Sequence, residues 1–294
     1  MFSCSLHINS WRCTWHCAPI CTARAVINTI STGDDEVLGV TSVDDELFVL
    51  LKRDDNQVAV YSLNDYRLLR HIHLPALKPE QAWFDRLSDM TSCVRHKCLY
   101  ASDCGNRCIH RYDLSSSAIS KWPVPGEPRG LSVTPGSCNL LVVCRERSKP
   151  DKLVELRADS GQLGREITLQ SDTVCLHHAV QLTTGQYVVC HGADTLHRVC
   201  MVDVEGRVTR SYGGQWGSGV GQLAVPRHLA VDEDSQFIFV ADGFNHRVVL
   251  LSPTLEFVRE FRKGVSLPRR LYFHQTTRRL FVNHFEVDVV VIQL

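Results

Sequence analysis

Three observations predict an all-β protein, a six-bladed β-propeller of four-stranded antiparallel blades. First, from about residue 36 onward one unit recurs at intervals of 41 to 50 residues. It holds three short apolar segments and a fourth, more polar one, which is the period and strand content of propeller blades. Second, each segment is four to seven residues of mostly Val, Leu, Ile or Phe, and none keeps a 3.6-residue period long enough for a helix. Third, the last unit runs only from Leu271 to Leu294 and stops after its third strand, while a spare strand-like run, Ala25 to Ile30, precedes the first unit. Pairing that run as the outer strand of the last blade closes the ring and removes two unpaired edges.

The elements follow in order. The innermost segments centre near Val40, Met90, Leu131, Ala179, Leu229 and Leu271. The second segments are Leu47 to Val49, Leu99 to Ala101, Leu140 to Val143, Tyr187 to Val189, Phe237 to Val240 and Leu280 to Val282. The third are Val58 to Tyr61, Cys108-Ile109, Leu153-Val154, Val199 to Met201, Val248 to Leu251 and Val287 to Ile292. With 44% hydrophobic residues in 294, the chain can fill a sizeable core, which excludes a disordered chain or a disulfide miniprotein. Thirty-two basic and 32 acidic residues balance, so a generally basic nucleic-acid binder is excluded as a description of the whole chain. No apolar run approaches the ~20 residues that span a bilayer, so no membrane partner is expected.

Most of the 13 cysteines sit within apolar stretches, as Cys144, Cys175, Cys190 and Cys200 do. Reduced cysteine behaves there as a small core residue, and a reducing, cytoplasmic location is expected. Residues 1–22 stand apart. They hold Cys4, Cys13, Cys17 and Cys21 with His7 and His16, but the spacing is not that of paired zinc ligands. The expected division is a poorly ordered, Cys-rich extension over 1–22 and the propeller over 23–294.

One unit carries more than spacing. It reads Gly213-Gly214, then Gly219 to Leu223, Pro226, Val231-Asp232, and the run Val240-Ala241-Asp242-Gly243-Phe244-Asn245-His246-Arg247-Val248. That run resembles an NHL repeat, and Ala101-Ser102-Asp103-Cys104-Gly105-Asn106-Arg107-Cys108-Ile109 is a degraded copy. The resemblance implies the six-bladed fold, as in the C-terminal propeller of tripartite-motif ubiquitin ligases. It also implies a protein-recognition role, or RNA binding as in some NHL propellers. The physics of the run is that of a turn: Asp242 and Asn245 can bond loop backbone, and Gly243 permits positive φ. Trp122 and Trp216 are expected to pack between blades.

In antiparallel blades, the loop leading into a blade and the turn between its second and third strands share one face of the disc. That places Arg107, Arg129, Arg145, Arg147, Arg227, His228, Asn245, His246, Arg247, Arg269 and Arg270 on a candidate partner-binding face. The acidic first blade (Asp34-Asp35-Glu36) and the basic last stretch are neighbours in a closed ring, where opposite charge would assist closure.

The position facing the central channel is occupied in turn by Gly39, Asp89, Gly130, His178, His228 and Arg270. Asp89, His178 and His228 are channel metal candidates, and Pro226 to Ala230 resembles a ligand-bearing strand of the peptidyl-amidating lyase propeller. That family's zinc is held by three channel histidines, whereas this chain offers two, so no metal and no cofactor is expected. No nucleophile elbow, Walker loop or G-x-G-x-x-G occurs. Neither paired zinc-ligand spacing nor a long heptad run is present, so ligase chemistry is not expected from this sequence. The expectation is a non-enzymatic scaffold with a protein partner, single-stranded RNA being the alternative and a metal-dependent channel enzyme of the amidating-lyase type the outsider; no DNA partner is expected.

Overall fold

A computed structural model describes residues 25–52, 57–74, 88–146, 150–193, 195–284 and 288–294. The expected extension over 1–22 lies outside the described residues, as does Arg147. Blade 1 comprises β2 (Glu36–Val43), β3 (Glu46–Lys52), β4 (Gln57–Ser62) and β5 (Leu68–His73). Blade 2 comprises β6 (Met90–Cys93), β7 (Cys98–Asp103), β8 (Cys108–Asp113) and β9 (Ile119–Pro123). Blade 3 has β10 (Glu127–Val133), β11 (Leu140–Arg145), β12 (Lys152–Leu156) and β13 (Leu163–Thr168). Blade 4 has β14 (Leu176–Gln181), β15 (Tyr187–Ala193), β16 (Leu196–Val202) and β17 (Val208–Gly213). Blade 5 has β18 (Pro226–Val231), β19 (Ile238–Asp242), β20 (Arg247–Leu251) and β21 (Phe257–Phe261). Blade 6 joins β22 (Arg270–His274), β23 (Arg279–Asn283) and β24 (Asp288–Gln293) to β1 (Ala25–Ser31).

The closing strand behaves as the sequence predicted. It pairs antiparallel with β24, from Ala25 opposite Gln293 to Ser31 opposite Asp288. The outer strands share a pattern: polar or exposed over most of their length, with one large side chain buried toward a neighbouring blade. Ile72, Trp122, Ile167 and Tyr212 play that part in blades 1 to 4, and Ile30 plays it on β1. Blade 6 thus receives an ordinary outer strand from the far end of the chain.

The core consists of six apolar clusters, one between each pair of adjacent blades. The cluster at the seam joins Phe281, Val289 and Val291 of blade 6 to Val40, Leu47 and Val49 of blade 1, with Ile30 beside them. Both faces of every inner strand are therefore covered. This explains why β3, β7, β11 and β19 read as continuous apolar runs rather than alternating ones. Polar pins cross the same seam. Arg269 pairs with Glu36, Ser42 Oγ lies 2.6 Å from the Tyr272 hydroxyl, and Arg279 donates to Leu63 O at 3.2 Å. The Glu36 pair realises the charge complement expected of the first and last blades. At the next interface Arg278 of blade 6 holds buried Asp232 of blade 5 through two bonds of 2.5 and 2.6 Å. Among the described residues no helix is long and apolar enough to cross a membrane.

Candidate functional site

Two places gather side chains with chemical potential. The first is the channel. Asp89 lies just before β6, His178 on β14, His228 on β18, and Arg270 opens β22; all four are buried. Sequence position alone placed these residues together, and the structure brings them into contact. His178 and His228 stack with ring centres 3.6 Å apart, and Asp89 Oδ2 lies 3.3 Å from His228 Nε2 and 3.8 Å from His178 Nε2.

Their polar atoms are committed to stitching blades together. His178 Nδ1 accepts the Leu229 N–H, and His228 Nδ1 accepts the Leu271 N–H, each 3.3 Å away in the following blade. The Nε2 of His178 faces Leu131 O at 3.0 Å, so this imidazole is neutral and protonated on Nε2. Asp89 accepts from the backbone of Met90 and Leu131, both at 2.9 Å, and lies 3.1 Å from Arg270 Nε. Arg270 also donates to Leu38 O at 2.9 Å and Ser88 O at 2.8 Å. Two channel positions are glycine because backbone meets backbone there. A Cβ on Gly39 would come within 2.7 Å of Met90, and one on Gly130 within 2.6 Å of His177 O.

Burial would push the Asp89 carboxyl up, but Arg270 and the two histidines hold it well below the usual range. Burial, with His228 alongside, lowers His178 to about 3, and burial lowers His228 too. The donor atoms of Asp89, His178 and His228 lie within 4.8 Å of one another, close enough for a cation. Such an ion would have to displace Leu131 O from His178 Nε2 and sit beside a buried guanidinium. The groups fit the stitch they already form better than an ion.

The second place is the loop face, where the structure divides by burial the ten of the eleven expected residues that it describes. Arg129, His228, Arg247, Arg269 and Arg270 are buried. This corrects their placement on a face open to a partner. A loop guanidinium beside a carboxylate or carbonyl folds inward when it can satisfy several acceptors at once. Arg129 lies 3.8 Å from Glu127, and Arg247 meets four acceptors described below. Arg107 and His246 are exposed, while Arg145, Arg227 and Asn245 are half-buried.

The NHL-like run explains what remains. Asp242 Oδ1 accepts the Ala224 N–H at 2.7 Å, and its Oδ2 accepts from Asn245 Nδ2 and Arg247 Nε, each at 2.7 Å. Asn245 Nδ2 also reaches Gly217 O at 2.7 Å. Arg247 donates to Ser218 O at 2.7 Å, Gln222 O at 2.8 Å and Glu260 Oε2 at 2.7 Å. The motif is therefore a clamp on the loop that enters blade 5 from blade 4. Gly243 does not adopt positive φ. The left-handed residue of the turn is His246, at φ 52°, matched by Arg107 at φ 50° in blade 2. Position 243 is tight instead: a Cβ there would lie 3.2 Å from both Val225 O and Arg227 Nε, so either neighbour would have to give by a few tenths of an ångström.

The clamped loop displays Trp216. Its ring meets Phe244 edge-to-face at 5.7 Å and His197 at 4.8 Å. Trp216 is 50% exposed, Phe244 49% and Val220 75%. Trp216 was expected to pack between blades, as Trp122 of blade 2 does in the cluster it shares with Leu131, Leu140 and Val142 of blade 3. Instead it stands on a held loop, turned outward. Arg227 lies over the Phe244 ring at 5.6 Å. Trp216, Phe244 and Val220 are thus the surface residues that sequence reasoning missed. The available signal was that the clamp motif and the tryptophan share one unit.

Solved structures share this architecture, and two of them illustrate the likeness. The streptogramin B lyase structure has a TM-score of 0.63 at 9% identity, covering 91% of this chain and 97% of that one. Hydrazine synthase of Kuenenia stuttgartiensis has a TM-score of 0.65 at 14% identity, covering 88% of this chain and 83% of that one. At such identities the likeness is one of fold. No family model and no curated protein matches the sequence.

Proposed function

We propose that this propeller is a non-enzymatic recognition module that binds a short protein segment on the Trp216–Phe244 face. The observation carrying the proposal is a pair of half-exposed aromatic rings on a loop clamped by buried hydrogen bonds. Rigid aromatics lose little entropy on binding and dominate interface energetics. Arg227 borders the rings, which favours a segment combining an apolar anchor with acidic neighbours. The closed bonding of the channel residues supports the non-enzymatic reading. Burial of Arg129, Arg247, Arg269 and Arg270 disfavours the RNA alternative, because a strand of phosphates needs a surface track of cations. The NHL-like hairpin makes substrate recognition for a ubiquitin ligase the pathway we propose, with ligase chemistry supplied from outside these blades.

The test is selection of a random peptide library on the immobilised full chain, followed by anisotropy titrations of the selected peptides. Peptides with acidic and apolar residues should bind, and Trp216→Ala should weaken them about 30-fold, the scale of a loss of ~2 kcal/mol at a hot spot. Selected peptides indifferent to Trp216→Ala and Phe244→Ala would sink this placement of the site. Saturable binding of single-stranded RNA at physiological salt, with no peptide selected, would replace the reading with the RNA one.

A further inference from the structure

The hairpins of blades 2 and 5 are the two copies of one motif, and one of their differences falls on the residue that pairs with the shared aspartate. In blade 5 Asp242 stands opposite Arg247, whose guanidinium binds the carboxylate at 2.7 Å. In blade 2 the register is the same, with Asp103 opposite Cys108, but the arginine is replaced by a thiol. Two residues further along β8, where blade 5 has Val249, blade 2 has His110. Side chains two apart on a strand share a face, and so do cross-strand partners. Carboxylate, thiol and imidazole are therefore directed into the space that the guanidinium fills in blade 5.

The distances follow this placement. His110 Nε2 lies 3.0 Å from Asp103 Oδ2 and 3.8 Å from Cys108 Sγ, and all three donor atoms fall within 4.8 Å of one another. Tetrahedral zinc with sulfur, nitrogen and oxygen ligands has ligand-to-ligand edges of about 3.3–3.6 Å, so small shifts suffice. All three residues are buried, at 0% exposure for Asp103, 1% for Cys108 and 6% for His110. His110 Nδ1 is buried and makes no hydrogen bond among the described residues. A buried imidazole with one ring nitrogen left without a partner is costly unless something recruits it.

We propose that Asp103, Cys108 and His110 form a zinc site inside blade 2, in which the dication takes the place of the missing guanidinium. Thiolate and imidazole select zinc over harder cations, and thiolate plus carboxylate balance its charge. Binding releases the Cys108 proton to solvent and leaves the fourth coordination position to a water. Burial, then Asp103, push the Cys108 thiol up in the metal-free chain, while Lys121 beside it pulls the other way. The site is distinct from the channel group, which draws on Asp89, His178 and His228.

The experiment is cobalt titration of the full, reduced chain, followed by zinc displacement, with spectra recorded for the chain and its variants. The unaltered chain should show a thiolate-to-cobalt band that zinc abolishes. Cys108→Ala and His110→Val should each lose that band and one bound cobalt per chain, while His228→Asn should keep both. Equal stoichiometry and an unchanged band in Cys108→Ala would overturn the proposal. Should either single variant fail to fold, the Cys108→Arg/His110→Val double variant restores the blade 5 side chains. That variant should fold without the band, and a band persisting in it would equally overturn the site.

Discussion

In the channel, Asp89, His178, His228 and Arg270 turn inward and meet one another and the neighbouring blades' backbone. On the loop face, Asp242, Asn245 and Arg247 are just as densely bonded, but what they hold is a loop that turns Trp216 outward. The same polar chemistry serves two purposes. In the first, every bond returns to the ring, so the network's product is closure. In the second, the bonds end on a segment carrying exposed rings, so its product is a surface. Charged residues at the mouth of a propeller are therefore a weak guide to binding; what the network holds in place is the better one.

The largest effect should come from breaking the channel. Asp89→Ala leaves the Arg270 guanidinium buried beside two imidazoles, and loss of one partner of a buried pair costs about 3–5 kcal/mol. Urea unfolding should report that loss without any change in peptide affinity once the variant is folded. Arg247→Met comes next, at about 3 kcal/mol, because it uncovers a buried carboxylate. It should also release the loop, so proteolysis near Gly219 and loss of peptide binding should accompany it. If binding survived, the clamp would be no more than structural, and the contrast between the two regions would fail.

A smaller effect is set by pH. His178 is held at about 3 in the fold, against an ordinary value near 6.5, chiefly by burial. The folded state therefore refuses a proton that the unfolded chain accepts, and its contribution is complete above pH ~6.5 and lost as pH falls toward 3. The slope is about 1.4 kcal/mol per pH unit for each such group. Chemical denaturation between pH 7 and 4.5 should show it, with a flatter profile in His178→Gln. The smallest expected change is in the stability of Trp216→Ala, within about 0.5 kcal/mol, as for a surface substitution. A fall of several kcal/mol in thermal or urea unfolding would show the ring to be structural and undo the comparison.

The fold was legible because its signals are local and repeated. Six runs such as Leu140 to Val143 and Phe237 to Val240 mark inner strands covered on both faces, and the missing fourth strand of the last unit pointed to Ala25 to Ile30. The channel group was legible too, since position in the repeat is enough to converge Asp89, His178 and His228. Burial of individual loop arginines was not. Arg227 and Arg269 each follow a proline at the mouth of a blade, yet one is half-buried and the other pairs with Glu36 across the seam. That difference depends on which acceptors a distant blade supplies. The Asp103, Cys108 and His110 group was hidden for a related reason: each residue is ordinary alone. Aligning the degraded motif copy with the complete one, and asking what replaced Arg247, would have found it.

The pairing of β1 with β24 fixes the order in which this molecule can be made. Its partners lie at opposite ends of the described chain, so the contact is among the most non-local that the sequence allows. During synthesis β1 must wait while five blades emerge, with its hydrogen-bonding edge unfilled. Ring closure is therefore expected as a late, slow step. Until it happens, the free edge of β24 is a template for β1 of another copy, which makes exchange of that strand between nascent chains the characteristic misassembly to guard against at high expression.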